Sequence, residues 1–240
     1  QAWDKIPETA KDADGAYYAD YTGIMSVGWN ADKYGDISSL DDLLDPKFAG
    51  TVALNGKPAE AGAAFNGYLM ANQLAGGDIN NLQPGLDYFK KLKEAGNLTT
   101  VDVTNGTIDS GQTGVVFDWT YNQASYKKEL KDKGVNWKYK TFPKAQVVSY
   151  YNQAINKDAP HPAAARLWEE YLYTADAQNL WFKGGANPVL LDSMKEDGTV
   201  DQATLKDAIT IEGEPVSYTN DDSTRITEWL QNNWDKTIGN

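Results

Sequence analysis

The sequence contains no cysteine, which removes disulfides, thiolate metal sites, iron–sulfur clusters and thiol nucleophiles from consideration. Histidine occurs once, at His161, so no site can draw two imidazoles from this chain. Basic residues are sparse, 22 against 34 acidic ones, for a formal net charge of −12. That balance argues against a nucleic-acid partner, because neutralising phosphates takes clustered lysine and arginine. It equally weakens the case for an anionic membrane surface. No apolar run approaches the ~20 residues that span a bilayer. The opening residues, Gln1-Ala2-Trp3-Asp4, are not a basic region followed by an apolar stretch, so no signal peptide is expected within this sequence.

What is present fits a globular α/β protein. The 240 residues are 41% hydrophobic and 23% charged, enough for one large domain or two small ones with cores of their own. Excess acid keeps a surface soluble and mildly favours cationic ligands through long-range attraction. Eight tryptophans and 14 tyrosines stand against six phenylalanines. Such residues combine an apolar face with a polar handle and suit a wet ligand cleft, although many must serve the core.

Along the chain, the first twenty residues read as turns. Strands are expected at 22–29, 51–54, 101–103, 114–119, 137–142 and 147–155. The run Val115-Val116-Phe117 is apolar on both faces, as a buried strand requires. Helices are expected at 61–74, stopped by Gly76-Gly77; around Leu82, Leu86, Phe89 and Leu92, with Pro84 in the first turn; at 126–133; from Pro162 through Leu167, Trp168, Tyr171 and Leu172; at 177–182, capped by Asp176; and from Ser223, burying Ile226, Trp229, Leu230 and Trp234. A short helix capped by Ser38 or Ser39 should end before Pro46. Alternating strands and helices imply parallel or mixed sheets.

The strongest candidate site is Asp118-Trp119-Thr120-Tyr121-Asn122, at the end of the buried strand. Polar groups there lie at the carboxyl edge of a sheet, where open α/β folds bind ligands. Asp118 could accept hydrogen bonds from an ammonium or hydroxyl group, and Trp119 or Tyr121 could stack on a cation. The plainer alternative has Asp118 capping the following helix and Trp119 in the core. At Ala61-Gly62 small residues open a helix and let a ligand approach its N–H groups; an ordinary helix start looks the same.

Four stretches carry a family resemblance. They are YTGIMSVGWN (21–30), LDDLLDPKFAG (40–50), the strand and its polar end at 111–122, and INKDAPHPAAARLWEEYL (155–172), extended by Gln178 and Gly184-Gly185…Pro188. In order and over nearly the whole chain they resemble the family 1 extracellular solute-binding proteins of bacterial ABC importers, a group that includes ferric-iron, thiamine, phosphonate and polyamine binders. The resemblance implies a type II periplasmic-binding-protein fold of two lobes, with residues 1–50 and 147–240 in one and 51–146 in the other. It implies that the N-terminal lobe is incomplete, because members carry about two βα units before the position of Trp3. It further implies a periplasmic or extracellular monomer, reaching the membrane only through its permease or a removed lipid anchor, that holds a small solute between its lobes. No cofactor or catalytic residue is implied.

Within that frame, Tyr150 and Tyr151 adjoin the strand returning between lobes. Being adjacent, they face opposite sides, so at most one points into the cleft. Asn187 lies in a loop resembling one near the cleft mouth, and His161 resembles a structural helix-start histidine. Ferric members use a tyrosine pair at the position of 119–121, which this chain lacks. Asp118, the aromatics and the net charge make an amine or polyamine the favoured solute, with iron, phosphonate and sugar as alternatives. The competing class is a two-carboxylate glycosidase, for which no paired-acid motif is found; the sequence also has no G-x-S-x-G elbow for a serine hydrolase.

Overall fold

The structure, a computed structural model, describes residues 2–211 and 214–239. Its strands and helices, in chain order, are β1 (Tyr18–Asn30), α1 (Ala31–Tyr34), β2 (Val52–Leu54), α2 (Gly62–Leu74), α3 (Gln83–Glu94), α4 (Asn105–Asp109), β3 (Val115–Trp119), α5 (Thr120–Glu129), β4 (Trp137–Lys140), β5 (Val148–Gln153), α6 (Pro162–Leu172), α7 (Ala175–Lys183), β6 (Asn187–Pro188), α8 (Leu191–Asp197), α9 (Gln202–Asp207) and α10 (Asn220–Thr237). The chain divides into a smaller unit, Gln1–Ile24 with Ser149–Ile211, and a larger one, Met25–Val148 with Glu212–Asn240. The first changeover lies inside β1 rather than after Gly50. The reason is packing: Leu40, Leu43 and Phe48 bury into the same cluster as Met25 and Val27, and so do Ile226, Leu230 and Trp234 of α10.

The larger unit is a mixed sheet of order β2-β3-β1-β4. β2 and β3 run parallel, with Leu54 opposite Phe117, and β3 and β4 are antiparallel to β1. Both faces of β3 are covered, which accounts for its unbroken apolar sequence. Val115, Phe117 and Trp119 enter the main core with Tyr68, Phe89 and Trp234, while Val116 joins Ile108, Leu130 and Trp137 on the other face. Helices α2, α3 and α10 build the first layer. α3 follows the 3.6-residue period closely, burying Leu86, Phe89 and Leu92 and leaving its lysines outside.

In the smaller unit, β5 and β6 pair with β1. Tyr21 lies opposite Pro188 and Thr22 opposite Asn187. Its core is small, comprising Ile6, Ala10, Ala19, Phe182, Val189, Leu190, Leu191, Met194 and Val200.

Several sequence expectations require correction. β1 begins at Tyr18, four residues before Thr22. Residues 101–103 form no strand; Leu98 takes the place beside Val52 instead. α5 starts at Thr120, not Tyr126, because its buried residues include polar Thr120 and Gln123, which hide the period. At the short turn near Pro46 the capping runs the other way: the Asp42 carboxylate accepts the N–H groups of Ser38 and Ser39 at 2.7 and 3.0 Å. Thr174 rather than Asp176 caps α7, and α10 begins at Asn220 behind a Thr219–Asp222 capping box.

Candidate functional site

In the larger unit β2 and β3 each lead into a helix at their carboxyl ends. Gly67 of α2 sits directly over this end: a Cβ there would stand 3.0 Å from Leu54 and 3.3 Å from Phe117. The start of α2, Ala61-Gly62-Ala63, therefore projects past the sheet edge. Ala61 is the N-cap in extended conformation and supplies no side-chain cap, and the first turn holds no acid. Gly62 is exposed, with open space where a Cβ would be. α5 likewise starts without a side-chain cap or a first-turn acid.

These two starts contrast with α9 and α10. There Asp201 and Asp222 are held at about 2, chiefly by backbone N–H donors from Thr204 and Thr219, with Lys183 and Arg225 assisting. Elsewhere α3 and α6 also start without a side-chain cap or a first-turn acid, and threonines cap α4 and α7. At the β2 and β3 ends the first turns hold no acid, although Glu60 directly precedes the α2 start and Asp118 the α5 start.

Asp118 lies just beneath that edge and is completely buried. Its Oδ1 accepts from the Trp119 N–H at 2.8 Å and Asn122 Nδ2 at 2.9 Å; its Oδ2 accepts from Asn55 Nδ2 at 2.8 Å and the Tyr126 hydroxyl at 2.9 Å. Burial pushes its carboxyl up from the usual range, while all four donors pull the other way. The same burial, with the Asp118 charge beside it, pushes the Tyr126 phenol up. A carboxylate with four donors has little left to offer a solute. Asp118 ties the β2 end, the β3 end and the first two turns of α5 together, and so shapes the site from below. Trp119 is 4% exposed and in the core, as the plainer reading held, and Tyr121 stacks on it at 6.4 Å with 15° between planes.

The structure thus brings Ala61, Gly62, Asp118, Trp119 and Tyr121 to one sheet end. Tyr150, Tyr151 and Asn187 belong to the smaller unit. Tyr150 packs on that unit's core. Tyr151, 40% exposed, stacks on Tyr21 at 4.7 Å, and Tyr21 stacks on Trp181 at 4.4 Å. The two neighbours do take opposite environments. Asn187 is buried, donating from Nδ2 to the Ile209 carbonyl at 3.1 Å, with Oδ1 unpartnered. His161 is exposed at the start of α6 and does not cap it. Asn55 and Tyr126 were missed; the only sequence signal was the Asn55-Gly56 turn after a strand.

The chain belongs to the bacterial extracellular solute-binding proteins: that family's model matches residues 1–208. Several solved structures share its fold. A putative extracellular solute-binding protein from Bordetella parapertussis aligns with a TM-score of 0.71 at 14% identity, covering 99% of this chain and 73% of that one. The periplasmic binding protein AfuA from Actinobacillus pleuropneumoniae, with exogenous fructose-6-phosphate bound, gives 0.69 at 19% identity over 98% and 73%. Iron-bound HitA from Pseudomonas aeruginosa gives 0.66 at 19% over 96% and 73%. No curated protein matches the sequence. Among the described residues, no helix is long and apolar enough to cross a membrane.

Proposed function

We propose that this protein captures a small anionic or oxygen-rich solute at the carboxyl ends of β2 and β3 and delivers it to the permease of an ABC importer, without chemical change to the solute. The observation that carries this reading is the start of α2 after β2, which has no side-chain cap, no first-turn acid and open space at the exposed Gly62. Such starts favour anions and hydroxyl oxygens. The sequence had favoured an amine through Asp118, but that carboxylate is buried and used four times over. Among structures of this fold, one carries a sugar phosphate and another iron. Trp119 and Tyr121 form a firm wall beneath the solute, and closure of the protein would follow from the solute's preference for the closed state.

Ala61→Asp separates solute binding from stability. Ala61 already has the extended backbone of an N-cap, so aspartate there should stabilise α2 by about 0.5–2 kcal/mol. The same carboxylate occupies the N–H groups and repels an anion, so affinity for an anionic solute should fall tenfold or more, about 1.4 kcal/mol. Thermal unfolding and calorimetric titration would show both. Higher stability with unchanged affinity would place the solute elsewhere.

A further inference from the structure

The sequence holds three Asn-Gly pairs, at 55–56, 66–67 and 105–106. In such a pair the backbone nitrogen of the glycine, with no side chain to shield it, can attack the asparagine side-chain carbonyl. The structure treats the three differently. Asn66 is buried inside α2, where its Nδ2 donates to the Gly62 carbonyl at 2.8 Å and its Oδ1 accepts from the Tyr218 hydroxyl at 2.7 Å. Asn105 lies in the first turn of α4, and its Nδ2 donates to Glu129. Ring closure at either requires a helical backbone to unwind. Asn55 is outside every helix and strand, and Gly56 after it is exposed. Two hydrogen bonds restrain the reacting groups there. Asn55 Nδ2 donates to Asp118 Oδ2 at 2.8 Å, and the Gly56 N–H donates to the Leu54 carbonyl at 2.9 Å in a tight turn about Asn55.

Neither residue of this pair can be exchanged freely. Gly56 has a φ of +101°, and a Cβ on it would stand 2.5 Å from that of Ala61. Asn55 presents an N–H to a buried carboxylate, which an ionised acid cannot do. The tie between the β2 end and Asp118 is therefore made with a chemically labile dipeptide.

We propose that Asn55 is a modification site, where slow deamidation cuts the tie between the β2 end and Asp118. The Gly56 nitrogen bonds to Asn55 Cγ, the Cγ–Nδ2 bond breaks, and Nδ2 leaves as ammonia with the Gly56 amide proton. Water then opens the five-membered imide at either carbonyl, giving aspartate or isoaspartate. Both products lose the donor and place a new carboxylate beside Asp118, and two carboxylates sharing a site cannot both stay ionised. Isoaspartate also lengthens the backbone by one carbon, which disturbs the bond from the Asn55 N–H to the Phe117 carbonyl at 3.3 Å. This chemistry belongs to the loop after β2 and does not rest on the solute reading.

Incubation of the protein at mildly alkaline pH, followed by peptide mass mapping, tests it. Amide-to-acid conversion should run about tenfold faster at Asn55 than at Asn66 or Asn105, whose helices must open first. Asp118→Asn removes the charge that holds Asn55 Nδ2 and should speed conversion at Asn55 about fivefold, with Asn66 and Asn105 as controls for general loosening. Asn55→Asp, which stands for the aspartate product, should lower the melting temperature by several degrees, whereas Asn105→Asp should not. Conversion led by Asn66 or Asn105, acceleration of all three sites or of none by Asp118→Asn, or an Asn55→Asp variant as stable as its parent would overturn the proposal.

Discussion

Asp118→Ala should destabilise the protein by about 3–5 kcal/mol, a large part of the 5–15 kcal/mol that holds a typical domain together. The substitution strips the acceptor from four donors at once: Asn55 Nδ2, the Trp119 N–H, Asn122 Nδ2 and the Tyr126 hydroxyl. Each buried donor left alone costs about 1–3 kcal/mol. The total stays below the simple sum because Asn55, Asn122 and Tyr126 are partly within reach of water. Asp118→Asn keeps the shape and one acceptor oxygen, and should lose about half as much. Urea unfolding of the two variants gives the comparison. A loss below about 1 kcal/mol for the alanine variant would mean that the network does not hold the two strand ends together.

Gly28→Ala should be nearly as damaging, at about 3 kcal/mol. A Cβ at this position would lie 2.0 Å from Gln123 Oε1 and 2.7 Å from Trp137 Nε1. Those two atoms are hydrogen-bonded at 2.8 Å in a fully buried setting, and Gln123 Nε2 also donates to the Val116 carbonyl at 3.0 Å. β1 cannot move aside, because Gly28 is paired with Val116 on one flank and Tyr139 on the other. The added methyl therefore has to break the glutamine–tryptophan bond, so overpacking adds to the cost of an unsatisfied buried pair. Denaturant unfolding together with the near-ultraviolet signal of Trp137 would report it. A variant of unchanged stability would show that Gln123 is free to swing away.

Much of the fold could be read from the sequence where one physical signal dominated. β3 was legible because Val115 to Phe117 is apolar on both faces, and α3 because its apolar spacing, Pro84 and Gly96 agree. Local signals failed where distant partners decide. Val101 and Val103 have strand-like side chains, but Leu98 holds the place beside Val52. α5 buries polar Thr120 and Gln123, so its first half carries no apolar period. The sequence placed Asp118 and Trp119 at the end of a buried strand and Ala61-Gly62 at a helix start, and the structure has them at the carboxyl ends of β3 and β2. What Asp118 does at that edge was not legible, because one of its oxygens is claimed by Asn55, 63 residues earlier in the chain. The orientation of α6 escaped for the same reason: Leu167, Trp168 and Tyr171 have core spacing yet are exposed, while Glu169 and Leu172 are buried.

The central claim is reversible capture of an anionic or oxygen-rich solute, and calorimetric titration of the protein tests it most directly. The panel would be fructose 6-phosphate, an alkylphosphonate, inorganic phosphate, an uncharged sugar, spermidine and ferric ion. The account predicts one-to-one binding by a phosphate, phosphonate or sugar, weakened by Ala61→Asp when the solute is an anion, with the solute recovered unaltered after long incubation. Tight binding of spermidine alone, insensitive to Ala61→Asp, or the appearance of a product, would contradict it.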